Sequence, residues 1–242
     1  MRVCVITDNR MIHENFRRLI AQPRYQDTVF DFFCSKNSRC DNENLRRQGE
    51  LPEASVSLKE AGEEFFGRYD LFLSLHCKQM FPAELVNSRR CVNIHPGYNP
   101  YNRGWYPQVF SILNKLPVGV TIHEMDEKLD HGPIIVRREV PVHDWDTSYD
   151  VYNRIQQMEI RLLEEYLPVL LSGDYQTFVP DSPGNMNQEK DFQELCCLDL
   201  DQKVTWREAI DLLRATTFNG YRNAYFYDRD HNKIYIEVHL EH

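Results

Sequence analysis

Short, continuously apolar runs separated by stretches of helical periodicity constrain this chain more than any other feature. Arg2 to Thr7 is such a run, and Thr28 to Cys34, Tyr69 to Leu75 and Cys91 to His95 read as further strands. A strand that is apolar at successive positions is covered on both faces, which is the condition inside a parallel sheet. Between these runs Ile12, Phe16, Leu19 and Ile20 recur at helical spacing behind the turn-and-cap pair Asp8-Asn9. Leu58 to Phe66 is helical in pattern, Pro82 to Asn87 fits a short helix, and the polar stretch from Ser35 to Pro52 reads as loop or irregular helix. The alternation predicts an α/β fold with an open, mostly parallel, Rossmann-like sheet.

The second half changes character. Tyr106 to Leu113 reads as a helix, and Val118–Met125 and Ile134–Val142 read as a hairpin or adjacent strands with Asp130 in their connection. Ser148 to Leu171 is a long amphipathic helix carrying Val151, Ile155, Met158, Leu162, Leu163, Tyr166 and Leu167 on one side, with Gly173 to end it. Pro180 to Asn187 is rich in Pro, Gly and Asn and marks a boundary. Beyond it Thr205-Trp206-Arg207-Glu208 forms a capping box for a further helix, and Tyr221–Tyr227 and Lys233–His239 flank Asp228–Asn232 as a β-hairpin. The expected organisation is a catalytic domain over 1–180, a small helix-plus-hairpin unit over 181–239, and a remnant of a histidine tag over 240–242. Tyr225, Tyr227, Tyr235, Ile236 and Val238 crowd a hairpin with little chain left to cover it, so a homodimer formed through the hairpin is expected.

Composition excludes several classes. The net charge of −9, with no block of Lys or Arg, argues against a nucleic-acid partner, because neutralising phosphates needs a basic surface. An anionic small molecule needs only one or two local cations and stays possible. No run approaches the ~20 apolar residues that span a bilayer, and the N-terminus runs straight into a strand pattern without the features of a secretory signal. Seven scattered cysteines (Cys4, Cys34, Cys40, Cys77, Cys91, Cys196 and Cys197) contain no C-x-x-C pair. They read as reduced thiols of a cytoplasmic protein, with neither a disulfide framework nor a metal site.

The chemistry concentrates in Asn93-Ile94-His95-Pro96-Gly97, Gly119-Val120-Thr121-Ile122-His123 and Asp130-His131-Gly132. These put an amide, an imidazole and a carboxylate at the ends of adjacent apolar strands. An amine attacking a carbonyl must lose a proton while the carbonyl oxygen gains negative charge. His95 can take the proton, the Asn93 amide can donate to the oxyanion, and Asp130 can orient and polarise the imidazole.

The joint pattern N-x-H-P-G, R-G-W, G-V-T-I-H and L-D-x-G-P-I-I resembles the folate-dependent formyltransferases, closely over residues 70 to 140. The resemblance implies the formyltransferase fold and 10-formyltetrahydrofolate as formyl donor. It assigns catalysis to Asn93, His95 and Asp130, with Asp130 also relaying a proton toward the leaving nitrogen of folate, and it leaves His123 as structural. Folate is expected between the Asn93 strand and the loops holding Met80, Phe81, Asp126 and Leu129, although Met80 and Phe81 would look the same as ordinary core residues.

Among possible amines, the loop Thr7-Asp8-Asn9-Arg10-Met11-Ile12 has no glycine to cradle a phosphate as in enzymes acting on glycinamide ribonucleotide. The acidic balance and short tail do not suit tRNA, and no N-terminal regulatory domain is present as in the hydrolases. His95 to Gln108 and Phe218-Asn219-Gly220-Tyr221 are similar to the branch that formylates dTDP-linked amino-dideoxy sugars for bacterial surface polysaccharide such as O-antigen. The expected substrate is dTDP-4-amino-4,6-dideoxyglucose, with a 3-amino isomer or a GDP- or UDP-linked amino sugar as alternatives. Lys78, Tyr98, Arg103, Trp105 and Tyr221 are the expected substrate contacts, Lys78 and Arg103 for the diphosphate. A non-catalytic nucleotide-sugar binding module is the alternative of another class.

Overall fold

A computed structural model of the chain describes residues 1–36, 46 and 48–241. Its centre is a sheet of seven strands: β1 (Arg2–Thr7), β2 (Val29–Ser35), β3 (Ala54–Val56), β4 (Leu71–Leu75), β5 (Arg90–His95), β7 (Gly119–Glu124) and β8 (Ile134–Glu139). Across the sheet they run β3-β2-β1-β4-β5-β7-β8. The first five are parallel, whereas β7 is antiparallel to β5 and β8 to β7. The mostly parallel α/β sheet expected from the alternation is therefore the one that forms. Strand β3 is an addition that the sequence pattern did not reveal: three residues at a sheet edge are too few to show a period. Most of the expected loop from Ser35 to Pro52 lies outside the described residues.

The chain leaves β1 toward β2 and returns on its other side as β4. In an open sheet the crevice at such a reversal, outside the carboxyl ends of the strands, is where ligands bind. Register carries the chemistry to the same edge. Leu75 pairs with Ile94, Asn93 lies opposite His123, and His95 lies opposite Thr121.

Helices cover both faces. One face carries α1 (Arg10–Ile20) and α5 (Ser148–Ser172) over a core that includes Val3, Val5, Leu73, Ile94, Val120 and Ile122. The other carries α2 (Leu58–Phe66) and α3 (Ala83–Ser88) over Cys4, Ile6, Phe72 and Cys91. Strand residues alternate between these two clusters, as a two-faced sheet requires. Asn9 caps α1 by accepting from the Ile12 N–H, Thr147 and Asp150 close a capping box on α5, and Gly173 ends α5 at φ 77°.

Two short strands, β6 (Arg103–Gly104) and β9 (Met186–Asn187), pair in parallel. The Pro/Gly/Asn-rich stretch thus packs back on the loop after β5. The C-terminal part contains α6 (Glu189–Cys196), α7 (Trp206–Thr216) and the hairpin β10 (Tyr225–Tyr227) with β11 (Lys233–Tyr235). Helix α7 packs against α4 (Pro107–Asn114). Arg214, fully buried on α7, donates to the carbonyls of His143 and Asp146 at 3.0 and 2.7 Å. Tyr227, Ile234 and Tyr235 of the hairpin stay exposed. No helix is long and apolar enough to cross a membrane among the described residues.

Candidate active site

Strand β5 brings Asn93 and His95 to one side of the sheet edge, because residues two apart on a strand share a face. Asp130 arrives from the β7–β8 connection at φ 48°, a left-handed conformation that Asp tolerates better than most residues. All three side chains are buried. The Asn93 amide donates to Asp130 Oδ1 at 3.0 Å and to His123 Nε2 at 3.3 Å. His95 Nδ1 lies 3.5 Å from Asp130 Oδ2, an electrostatic contact more than a formed hydrogen bond. The other partner of that oxygen is the Gly104 N–H at 3.1 Å.

His95 Nε2 is buried with no hydrogen-bond partner. A buried polar atom left unpaired is costly and normally avoided. Gly97 keeps that nitrogen free, since a β-carbon built there would overlap His95 Nε2. Burial pushes the His95 imidazole down to about 4 against the opposing pull of Asp130, so at neutral pH the ring is uncharged and can offer a lone pair. Burial works against the ionisation of Asp130, but His95 and His123 beside it, with the Gly104 N–H, hold its carboxyl at about 2. The cluster is thus a buried carboxylate, a neutral imidazole with an open nitrogen, and an amide, arranged for proton transfer to and from a reacting carbonyl.

Gly104 is held in place from outside the strand. Asn102, fully buried at φ 50°, donates to Ser111 Oγ at 2.9 Å and accepts from the amides of Asn114, Asn185 and Asn187 at 2.7, 2.7 and 3.3 Å. This asparagine hub fastens the loop after β5 to β9. Gly104 itself, at φ 84°, approaches the Asn187 carbonyl so closely that a β-carbon would overlap it.

Two clefts open beside Asp130. One, of about 290 Å³, is lined by Asn99, Arg103, Asp130, Ile134 and the 179–183 segment. A second, of about 610 Å³, is lined by Arg103, Trp105, Lys128, Leu129, Met186 and Gln188 among others. Arg103 borders both, and its Nε is buried without an acceptor.

Residues 21–167 match the family described as "Formyl transferase", and residues 191–242 match the "N-formyltransferase dimerization C-terminal domain". The chain belongs to the formyltransferase family. It is 42% identical over 241 residues to a dTDP-4-amino-4,6-dideoxyglucose formyltransferase of Mycobacterium tuberculosis, covering 100% of this chain and 97% of that protein. A crystal structure of a 4-N formyltransferase from Francisella tularensis superposes with a TM-score of 0.92 at 45% identity, covering 100% of this chain and 98% of that one. An N-formyltransferase from Helicobacter canadensis, solved with folinic acid and dTDP-3-aminofucose, shares the fold alone: TM-score 0.70 at 18% identity, over 92% of this chain and 82% of that one.

Within this formyltransferase the other expected site residues fall into two groups. Arg103, Trp105 and Leu129 line the larger cleft, and the Lys78 ammonium sits 5.6 Å from the centre of the Trp105 ring. Asp126 holds the edge of the same loop, accepting from Lys128 N at 2.9 Å and lying 2.7 Å from His131 Nδ1. Met80 is exposed. Phe81 is buried in the core beneath α3 and presents its side chain to neither cleft. Tyr98 lies under the Arg137 guanidinium, 4.6 Å from ring centre to Cζ, and also lines neither. Tyr221 is exposed and packs on Phe218, which meets Tyr152 of α5 at 5.5 Å.

The structure adds one member to the cluster. His123 contributes to it directly through Asn93 and lies 3.8 Å from Asp130. Its Nδ1 faces the Glu124 carbonyl at 2.7 Å, which places the ring proton there and leaves Nε2 to accept from Asn93. The G-V-T-I-H run pointed to it. Strand register, which puts His123 opposite Asn93, is what makes it a neighbour.

Proposed function

We propose that this formyltransferase moves the formyl group of 10-formyltetrahydrofolate onto the amino group of dTDP-4-amino-4,6-dideoxyglucose, with Asn93, His95 and Asp130 as catalytic residues. The observation that carries the reading is the unpaired, buried Nε2 of His95 beside an ionised Asp130. The choice of sugar is supported by similarity to a 4-amino sugar enzyme along the whole chain, C-terminal unit included.

In the reaction the sugar amine attacks the formyl carbon and His95 Nε2 accepts its proton. Asp130 steadies the resulting imidazolium, which forms beside a carboxylate already ionised. The formyl oxygen takes a hydrogen bond from Asn93. Both Asn93 protons are engaged in the free protein, and the longer bond, to His123, is the one most easily given up. The C–N bond to folate then breaks as a proton reaches the leaving nitrogen through Asp130. Arg103 keeps its Nε–H without an acceptor beside the two clefts it borders, which suits an anion such as a diphosphate, and Lys78 lies against Trp105 of the larger one.

The reading extends to organisation. Residues 1–180 act as the catalytic domain and 181–239 as the unit through which two copies associate, the exposed aromatic hairpin forming the contact. Both co-substrates are soluble metabolites, consistent with a cytoplasmic enzyme supplying surface polysaccharide synthesis. The test is turnover, followed by folate absorbance, of separately supplied dTDP-4-amino and dTDP-3-amino sugars. The 4-amino sugar is expected to react faster; exclusive turnover of the 3-amino isomer, or of a GDP or UDP sugar, overturns the assignment.

A further inference from the structure

A second buried acid–imidazole pair lies at the same sheet edge, outside the cluster above. His76 follows β4 at φ 58°, and its Nε2 sits 2.8 and 2.7 Å from the two carboxylate oxygens of Glu159 on α5. The His76 side chain is 6% exposed and that of Glu159 0%. Alternation along β4 would send His76 to the face opposite Leu75. The left-handed backbone turns it instead toward α5, the helix that covers Leu75's own cluster. Because Leu75 pairs with Ile94, His76 and His95 leave the sheet on adjacent strands.

The helix is built for this pair at some cost. Tyr152, Gln156 and Glu159 follow one another at four- and three-residue intervals and so share one face of α5. Gln156 and Glu159 are buried, and the Tyr152 hydroxyl receives the amides of Asn9 at 3.2 Å and Gln156 at 3.3 Å. A polar stripe on the covered face of an otherwise apolar helix is expensive, and a sealed carboxylate is tolerable only when paired. Glu159 has His76 as its one hydrogen-bond partner among the described residues. In the neutral ring, contact with the carboxylate puts the proton on Nε2 and leaves Nδ1 as an acceptor. That nitrogen has no protein partner among the described residues, yet it is not among the atoms sealed from solvent.

We propose that His76 is a substrate-binding and specificity-determining residue: its Nδ1 accepts a hydrogen bond from the amino group of the bound sugar, and Glu159 is the positioning residue that holds the tautomer. This rests on the amino-sugar reading above and adds a group that meets the amine from the end of β4, the strand beside the one that carries His95. A purely structural pair would affect folding without distinguishing the two co-substrates.

The experiment compares full-length wild type, His76→Asn, Glu159→Gln and the double variant in steady-state kinetics with dTDP-4-amino-4,6-dideoxyglucose and 10-formyltetrahydrofolate, alongside Tm. Asn tolerates φ 58°, and the double variant avoids leaving Glu159 buried and unpaired if His76→Asn alone fails to fold. In the double variant KM for the sugar is expected to rise about tenfold while KM for the folate donor stays within about twofold, the loss of a single hydrogen bond to a polar ligand. Glu159→Gln alone should raise the sugar KM by less, and it should add nothing on top of His76→Asn. A folded double variant with wild-type KM for the sugar, or with both KM values raised equally, overturns the proposal. Absence of wild-type turnover with this sugar instead removes the substrate reading on which the proposal stands.

Discussion

The carboxyl ends of β1 and β5 lie in the same sheet and treat buried polar groups in opposite ways. After β1, Asp8 accepts from the Ser35 N–H and Oγ at 2.8 and 2.6 Å and from the Lys78 N–H at 2.7 Å, while Asn9 caps α1. Every group there is spent on holding three loops together. An acidic residue just before the cap of α1 also disfavours a phosphate at that helix N-terminus, by like-charge repulsion. After β5, by contrast, His95 keeps one ring nitrogen buried and unpaired, and Gly97 is kept small beside it. Saturated polar clusters stabilise a fold. A cluster left one bond short stores the capacity to bind a reacting group.

The contrast can be broken most severely at Asp130. Asp130→Asn removes the charge that stabilises the imidazolium, so kcat/KM should fall by about a thousandfold while the melting temperature changes little. Steady-state kinetics beside calorimetry checks this; near-wild-type kcat/KM would mean the cluster is structural like that at β1.

Protonation comes next. His95 is held near 4 in the fold against 6.5 unfolded, so the unfolded chain binds the proton more readily. Its contribution is complete above about pH 6.5 and is lost as pH falls toward about 4, amounting to about 3 kcal/mol. Denaturant midpoints between pH 7 and 4 should show this loss, and His95→Asn should flatten it. A variant with the wild-type pH slope would place the proton uptake elsewhere.

The smallest effect is expected on the saturated side. Asp8→Ala strips three donors of their acceptor and should cost about 2 kcal/mol of stability. Turnover per folded molecule should stay close to wild type, because Asp8 faces the loops and not the reacting atoms. A large loss of kcat without a loss of stability would erase the distinction between the two strand ends.

Much of this was legible in the chain before the structure. The run at Arg2–Thr7 announced a strand because continuous apolarity survives only between two layers, and every α-helix among the described residues except α6 was visible as periodicity or caps. Asn93, His95 and Asp130 were legible as a set through the joint motif shared with the formyltransferases, each lying at or beyond the end of a strand. The substrate-side expectations were less transferable. Phe81 and Tyr98 are apolar or aromatic residues beside the site, and such residues look alike in sequence whether they face a ligand or, as here, core and Arg137.

Local pattern therefore determined the α/β class and most of the strands and helices, since these depend on periodicity and turn chemistry within a few residues, while the acyl-transfer residues were singled out by their resemblance to the formyltransferases. Tertiary structure alone decided which polar groups are satisfied. Glu159 reaches His76 across 83 residues, and Asn185 reaches Asn102 across 83 as well. Burial of His95 Nε2, the hub that aims Gly104 at Asp130, and the polar stripe of α5 exist only once those distant segments pack. Desolvation and hydrogen-bond geometry are properties of the packed neighbourhood and have no counterpart in the order of residues.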